Sequence, residues 1–273
     1  MPEFIFYLDP VINLSGKAGE EILDVYNRKE EVSVSAKEDN SPLTEADMRS
    51  HHRIKKALEK LTPDLPVLSE ESADIPYTER KSWRTYWLVD PLDGTREFIK
   101  HNGEFTVNIA LIHDHQPVLG VVHVPVQQTT YYACRHHGVF KQKLADSPRV
   151  IHVRKTDPQH LAVAGSRSHG SEKQQAFFDR LGDIEIHEIG SSLKFCLVAE
   201  GNVDIYPRFG PTSEWDTAAA QCIVEEAGGV VTDTSLQPIR YNNKESLLNP
   251  DFLVIADPSF DWMPYIECDD RQV

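Results

Sequence analysis

Asp90 and Asp93 stand three residues apart in the string WLVDPLDGTREF, Trp87 to Phe98. Two carboxylates at that spacing across a rigid turn suit a hard divalent cation. The three apolar residues before Asp90 set its carboxylate at the end of a strand. Pro91 disfavours helix at Asp90 and is expected to turn the chain, so that Asp93 comes back toward the same point. The backbone carbonyl of Leu92, between them, is a natural further oxygen ligand. Gly94 lets a ligand approach closely, and the amides of Gly94 and Thr95 at a helix start suit phosphate oxygens. A second acidic pair, Glu70 and Glu71 in LSEES, follows the apolar PVL, so one of them offers a third carboxylate from a strand end. A third segment, TSEWDTAAAQCIVEEAGG from Thr212 to Gly229, puts Asp216 in a first helical turn, where the dipole favours an anion. Its small residues Ala218 to Ala220 permit close packing.

Taken singly, each segment has an ordinary alternative: an acidic turn, a solvated glutamate pair, a helix-start charge. Together, Asp90, Asp93, Asp216, Glu70 and Glu71 would gather five negative charges. Like charges that close cannot all stay ionised without compensation. Two or three Mg²⁺ ions would resolve the repulsion and supply the positive charge a phosphate ester needs, one acidifying water and another steadying the leaving oxygen. No Walker pattern is present, since GKAGE at Gly16 lacks the preceding glycine spacing, so nucleotide-driven ATPase chemistry is unsupported.

The elements that must position these groups can be read from periodicity. A first amphipathic helix is expected from about Pro10 to Arg28, with Ile12, Ala18, Ile22, Leu23 and Tyr26 at helical spacing. A second starts at Thr44 as N-cap, with Glu45 and Asp47 in its first turn and Ile54, Leu58 and Leu61 on its apolar side. The polar, Pro-broken SVSAKEDNSPLTEAD between them reads as a loop or hairpin. Strands are expected at Thr85 to Asp90, Phe105 to Ile112, Val118 to Val124 and Thr130 to Cys134. After Asp157-Pro158 the rhythm alternates: LAVA, a helix at Glu172 to Leu181, IEIHEI, a helix at Ser191 to Glu200, VDIYP, then a helix from about Trp215 to Ala227 stopping at Gly228-Gly229. VVT, FLVIA and a short helix close the chain. The expected division is therefore a strand-rich α+β half, residues 1–158, and an α/β half, residues 159–273.

Composition narrows the function. The 273 residues carry 28 basic against 43 acidic side chains, a net charge of −15, which excludes a general nucleic-acid coat. A 40% hydrophobic fraction is too high for a disordered chain. The longest apolar runs are five residues, Phe4 to Leu8 among them, against about 20 for a membrane span. No secretory signal is expected, since Glu3 and Asp9 precede the first basic residue, Lys17. Cys134, Cys196, Cys222 and Cys268 lie far apart and read as buried reduced thiols in a cytoplasmic protein.

The set TEAD, LSEES, WLVDPLDGT and EWDTAA resembles the lithium-sensitive, Mg²⁺-dependent phosphatases of the inositol monophosphatase superfamily. The likeness runs on through GEFTVNIALI, SRSH, IGSSLKFCLVAEG and YPRFGPT, nearly the whole chain, and these strings resemble the bacterial 3'(2'),5'-bisphosphate nucleotidase branch. That resemblance implies a layered αβαβα sandwich of the inositol monophosphatase and fructose-bisphosphatase type. It implies metals held by Glu70, Asp90, the Leu92 carbonyl, Asp93 and Asp216, and a proton relay through Asp47 and Thr95 for the attacking water. Leu92, Asp93, Gly94 and Thr95 would border the scissile phosphate. His169, Gly190 and Lys194 would touch the nucleotide, with Arg208 a further candidate; Lys194 suits a 5'-phosphate as a point charge. The implied substrate is adenosine 3',5'-bisphosphate (PAP), with PAPS a related one, and the implied setting is the cytoplasm or a peripheral position on the inner membrane without obligate protein partners. Lys194 distinguishes this chain from inositol phosphatases, which commonly show a small uncharged stretch there. Hydrolysis of inositol or sugar monophosphates, and a silent phosphate- or metal-binding role, are the competing readings.

Overall fold

The computed structural model describes residues 4–28, 34–36, 42–166 and 171–266. One 3₁₀ turn, Phe4–Tyr7, leads into α1 (Leu8–Tyr26). The helix starts two residues before the expected Pro10, because proline is tolerated in a first turn whose N–H groups have no helical partner. Val11, Leu14, Ala18, Ile22 and Val25 form its buried stripe. Strands β1 (Val34–Ala36) and β2 (Pro42–Thr44) pair as an antiparallel hairpin. Helix α2 (Glu45–Leu61) follows with Thr44 as its N-cap and Asp47 completing a capping box.

A seven-stranded sheet comes next: β3 (Val67–Ser69), β4 (Thr85–Asp93), β5 (Thr106–His113), β6 (Gln116–Val124), β7 (Thr129–Cys134), β8 (Val139–Lys143) and β9 (Arg149–Val150), adjacent in chain order. Only β3 and β4 run parallel; every other neighbour is antiparallel. Short helices α3 (Tyr77–Arg80) and α4 (Thr95–Ile99) flank β4. The remainder alternates as expected: β10 (Leu161–Ser166), α5 (Glu172–Leu181), β11 (Ile184–Ile189), α6 (Leu193–Ala199), β12 (Ile205–Arg208), α7 (Glu214–Glu226), β13 (Val230–Asp233), β14 (Phe252–Ile255) and α8 (Met263–Ile266). Its five strands form a second sheet in the order β11-β10-β12-β14-β13.

Side-chain alternation explains the stacking. Trp87, Val89, Val107, Ile109 and Leu111 point to one face of the large sheet and bury against α1 and α2. Tyr86, Leu88, Ala110 and Ile112 point to the other and pack with α6 and α7. The second sheet meets α6 and α7 through Ala162, Ala164, Tyr206 and Val254, and its far face carries Val163, Ile205, Leu253 and Ile255 against Phe177, Phe178 and Trp262. The order is helix pair, sheet, helix pair, sheet, helix pair: the expected αβαβα sandwich. Strands covered on both sides read as near-continuous apolar runs rather than alternating ones. Central α7 sits unusually close to β6, since a Cβ on Gly120 would lie 2.1 Å from the carbonyl oxygen of Ala219. Among the described residues no helix is long and apolar enough to cross a membrane. Cys134, Cys196 and Cys222 are buried free thiols, while Cys268 lies outside the described residues.

Candidate active site

Asp90 and Asp93 reach the same face of the sheet by a different route from the turn expected at Pro91. β4 continues through Asp93, and its register against β5 shifts: Asp90 faces Asn108, but Asp93 faces Thr106. Three steps on β4 oppose two on β5, so one extra residue bulges out. Residues an odd number apart on a regular strand point to opposite faces; the bulge brings both carboxylates to the side of α6 and α7, while Leu92 buries toward α1 and α2. Pro91, with no N–H to give the ladder, suits such a position. Asp90 Oδ1 accepts the Leu92 amide at 3.0 Å, and Gly94, at φ +94°, opens α4 in a conformation favoured by glycine.

Helix α2 grips this segment from the opposite side. Asp47 accepts the Thr44 amide at 2.8 Å and the Thr44 hydroxyl at 2.6 Å on Oδ2, which leaves Oδ1 to accept Thr95 Oγ1 at 3.1 Å. The Leu92 carbonyl lies 3.4 Å from the same hydroxyl. One helical turn on, Ser50 Oγ donates to the Pro91 carbonyl at 2.7 Å, and buried His51 holds Ser69, immediately before Glu70, at 2.9 Å. A single helix face thus holds two separate segments of the site.

Asp216 comes from the other half of the chain. Its Oδ2 accepts the Ser213 amide at 2.9 Å as the capping-box residue of α7. Ser192, at the start of α6, links it to Asp93: the Ser192 amide and hydroxyl both lie 2.7 Å from Asp93 Oδ2, and the hydroxyl is 2.9 Å from the Asp216 carbonyl.

Electrostatics unite these carboxylates. Burial first, then Glu70, Asp93 and Asp216, hold the Asp90 carboxyl well above its ordinary range. Burial, Asp93 and Glu70 do the same to Asp216. Asp93 is raised by burial and partly relieved by Ser192, Lys194 and Asn108. Glu70, at the start of the 3₁₀ turn Glu70–Ser72, is the member of the glutamate pair whose charge acts on Asp90 and Asp216. Among the described residues no three His, Cys, Asp or Glu side chains close around one point tightly enough to enclose an ion. The site is an electronegative region rather than a finished cage. Its donor set of carboxylates and a backbone carbonyl is nonetheless all hard oxygen, which fits Mg²⁺ and not a soft metal.

A cavity of about 250 Å³ adjoins the carboxylates, lined by Asp93, Gly94, Thr95, Gly190, Lys194 and Asp216, with Ser166, Tyr206 and Arg208 also on its wall. Lys194 is buried beneath the Gly190–Ser192 turn and donates to the carbonyls of Ser191 at 2.7 Å and Ile189 at 3.3 Å. Its ammonium lies 5.3 Å from the Tyr206 ring centroid, and burial pulls its pKa down to about 8, against the pull of Asp93. Arg208 donates to the Pro211 carbonyl at 3.1 Å, while its buried Nε has no partner among the described residues. The Gly190 amide donates to Glu104 at 2.8 Å. His169 lies outside the described residues. Sequence reasoning missed Ser192, Asn108, Thr106, Ser50 and His51. Thr106 and Asn108 carried a readable signal, as polar residues two apart inside the apolar run FTVNIALI.

The sequence profile described as the inositol monophosphatase family matches residues 7–258. The 3'(2'),5'-bisphosphate nucleotidase CysQ of Escherichia coli K12 is 48% identical over 248 residues, covering 90% of this chain and 98% of that protein. The crystal structure of CysQ from Bacteroides thetaiotaomicron, a bacterial member of the same family, superposes with a TM-score of 0.82 at 41% identity, covering 93% of this chain and 98% of that one. An inositol monophosphatase from Thermotoga maritima superposes at 0.74 with 25% identity, covering 91% of each chain. With the layered sandwich, the bulged DPLDGT strand and this match over nearly the whole length, the chain belongs to the inositol monophosphatase family.

Proposed function

We propose that this chain is a Mg²⁺-dependent phosphatase that removes the 3'-phosphate of PAP, giving AMP and inorganic phosphate. The observation that carries the reading is the joining of Glu70, Asp90, Asp93 and Asp216 into one electronegative region beside the Asp47–Thr95 hydrogen bond. Glu70, Asp90, the Leu92 carbonyl, Asp93 and Asp216 would hold two or three ions. Bound there, the cations would offset the carboxylate charge, acidify water and steady the leaving oxygen. The chain's own residues supply the proton path. A threonine hydroxyl is a poor base alone, but Thr95 Oγ1 can take a proton from water as it passes its own to Asp47 Oδ1. Thr44 fixes the other Asp47 oxygen, so Oδ1 stays aimed at Thr95.

The substrate assignment rests on the likeness to the bisphosphate nucleotidases and on two cations, Lys194 and Arg208, in the cavity wall. They suit a second phosphate that an inositol monophosphate lacks. A phosphate dianion beside Lys194 would hold its ammonium charged against the burial that depresses it. His169 and Gly190 complete the nucleotide side of this reading, and PAPS is a related substrate. A cytoplasmic setting, with or without peripheral attachment to the inner membrane, belongs to the same proposal. The test is phosphate release from PAP and from inositol 1-phosphate side by side, with and without Mg²⁺. We expect PAP to turn over faster and EDTA to stop it; faster turnover of inositol 1-phosphate defeats the substrate assignment, and full activity in EDTA defeats the metal assignment.

A further inference from the structure

We infer that Ser192 is a positioning residue that reserves one oxygen of Asp93 for a cation and ties it to the start of α6. The inference deepens the phosphatase reading and rests on it. Among the described residues, the hydrogen bonds that Asp93 accepts all fall on Oδ2: from the Ser192 amide and hydroxyl at 2.7 Å each, from Asn108 Nδ2 at 3.3 Å and from Thr106 Oγ1 at 3.4 Å. A carboxylate with four donors on one oxygen resists rotation, and Oδ1 takes none of these bonds. Asn108 Nδ2 also donates to Ser192 Oγ at 2.9 Å, so that oxygen is an acceptor on one side and has a single hydrogen to give on the other. Two acceptors compete for that hydrogen, Asp93 Oδ2 at 2.7 Å and the Asp216 carbonyl at 2.9 Å. The charged one is both nearer and the stronger acceptor.

Ser192 therefore stands where three elements meet: the bulged end of β4, the polar positions of β5, and the first turn of α7. Both halves of the chain supply carboxylates to the site, and the bonds from the Ser192 amide and hydroxyl to Asp93 tie the second half to the first. Lys194 steadies the same turn from beneath, through the carbonyls of Ile189 and Ser191. Groups that orient a metal ligand in this way commonly change affinity about 10–100-fold when removed.

The experiment measures Mn²⁺ binding directly, by electron paramagnetic resonance of the free ion, alongside thermal unfolding in EDTA and PAP hydrolysis. Ser192→Ala keeps the amide bond to Asp93 and loses the hydroxyl; Ser192→Thr keeps both. We expect Ser192→Ala to weaken Mn²⁺ binding about tenfold, and Ser192→Thr to restore most of it. Asn108→Ala, which leaves Ser192 in place, should fall between them and serves if Ser192→Ala does not fold. Mn²⁺ affinity within about twofold of the parent in Ser192→Ala and Asn108→Ala overturns the inference, even if both lower the unfolding temperature, because a merely structural role would move stability alone. If the parent itself binds no Mn²⁺, the metal-dependent reading fails instead, so the two failures are distinguishable.

Discussion

Replacing Gly120 by alanine, at a position that ligates nothing, should damage both stability and catalysis. The added Cβ would lie 2.1 Å from the Ala219 carbonyl oxygen and 2.9 Å from both the Ala219 carbonyl carbon and the Cys222 Cβ. Ordinary contact requires α7 to back away from β6 by roughly 1 Å in a close-packed interior. Overpacking usually costs about 1–3 kcal/mol, and an obstacle made of backbone puts this case near the top, about 3 kcal/mol. For a chain of this size that lowers the melting temperature by roughly 6–12 °C. Asp216 lies one turn before Ala219 on the same rigid helix, so it moves too. A misplacement of about 1 Å at a reacting centre can cost on the order of 100-fold in rate. The assay is thermal unfolding in EDTA together with kcat for PAP. Adding Ala219→Gly should not help, because the obstacle is a carbonyl that every residue carries. A Gly120→Ala protein that melts within about 1 °C of the parent, with kcat unchanged, refutes this account of how α7 is seated.

Two further predictions concern titration. His123 is buried, bonded to Thr130 at 2.8 Å, and burial pushes its pKa from 6.5 to about 4. The unfolded chain takes up this proton near 6.5 and the folded one resists it, so stability is complete above that pH and is lost as pH falls through about 4. The loss is on the order of 3 kcal/mol; His123→Gln should flatten the urea midpoint between those limits, and an unchanged pH slope would count against it. Asp90 runs the other way: its raised carboxyl favours the folded state while protonated, so the metal-free protein weakens as pH climbs from the ordinary carboxylate range through that raised value. Asp90→Asn should therefore melt higher than the parent in EDTA at neutral pH, yet lose the cation-induced gain, about 2.7 kcal/mol per site at a hundredfold excess over Kd. A lower melting temperature in EDTA with that gain intact would be the contrary result.

The layered fold was legible because its elements obey local rules. The Thr44 cap, the Glu172–Leu181 helix and the apolar strands Thr106–His113 and Gln116–Val124 all announce themselves by period or capping chemistry. Strand β8 was not legible, since VFKQK is largely polar, and neither was β9, only two residues long. At the site, carboxylate identities were readable from type and spacing, but their convergence depends on a register shift that no local propensity encodes. Pro91 signalled an irregularity; whether it meant a turn or a bulge was decided by the pairing of Asp93 with Thr106. Ser192 was hidden for a related reason. Serine is a common surface residue, and only the meeting of β4 and β5 with the start of α6 sets its hydroxyl between Asp93 and Asn108.

That dependence on tertiary convergence explains why the carboxylates come from separate elements. Adjacent acids on one loop could relieve their repulsion by swinging into solvent, and the cation attraction would be lost with it. Here one oxygen of each aspartate is anchored: Asp90 by the Leu92 amide, Asp93 by Ser192, Asp216 by the Ser213 amide, Asp47 by Thr44. These anchors hold like charges together against a repulsion that helps raise the pKa of Asp90 and Asp216. The apolar layers on either side supply the free energy that keeps them there, so that a cation entering the site gains relief of that repulsion, less the cost of displacing protons from the raised carboxyls.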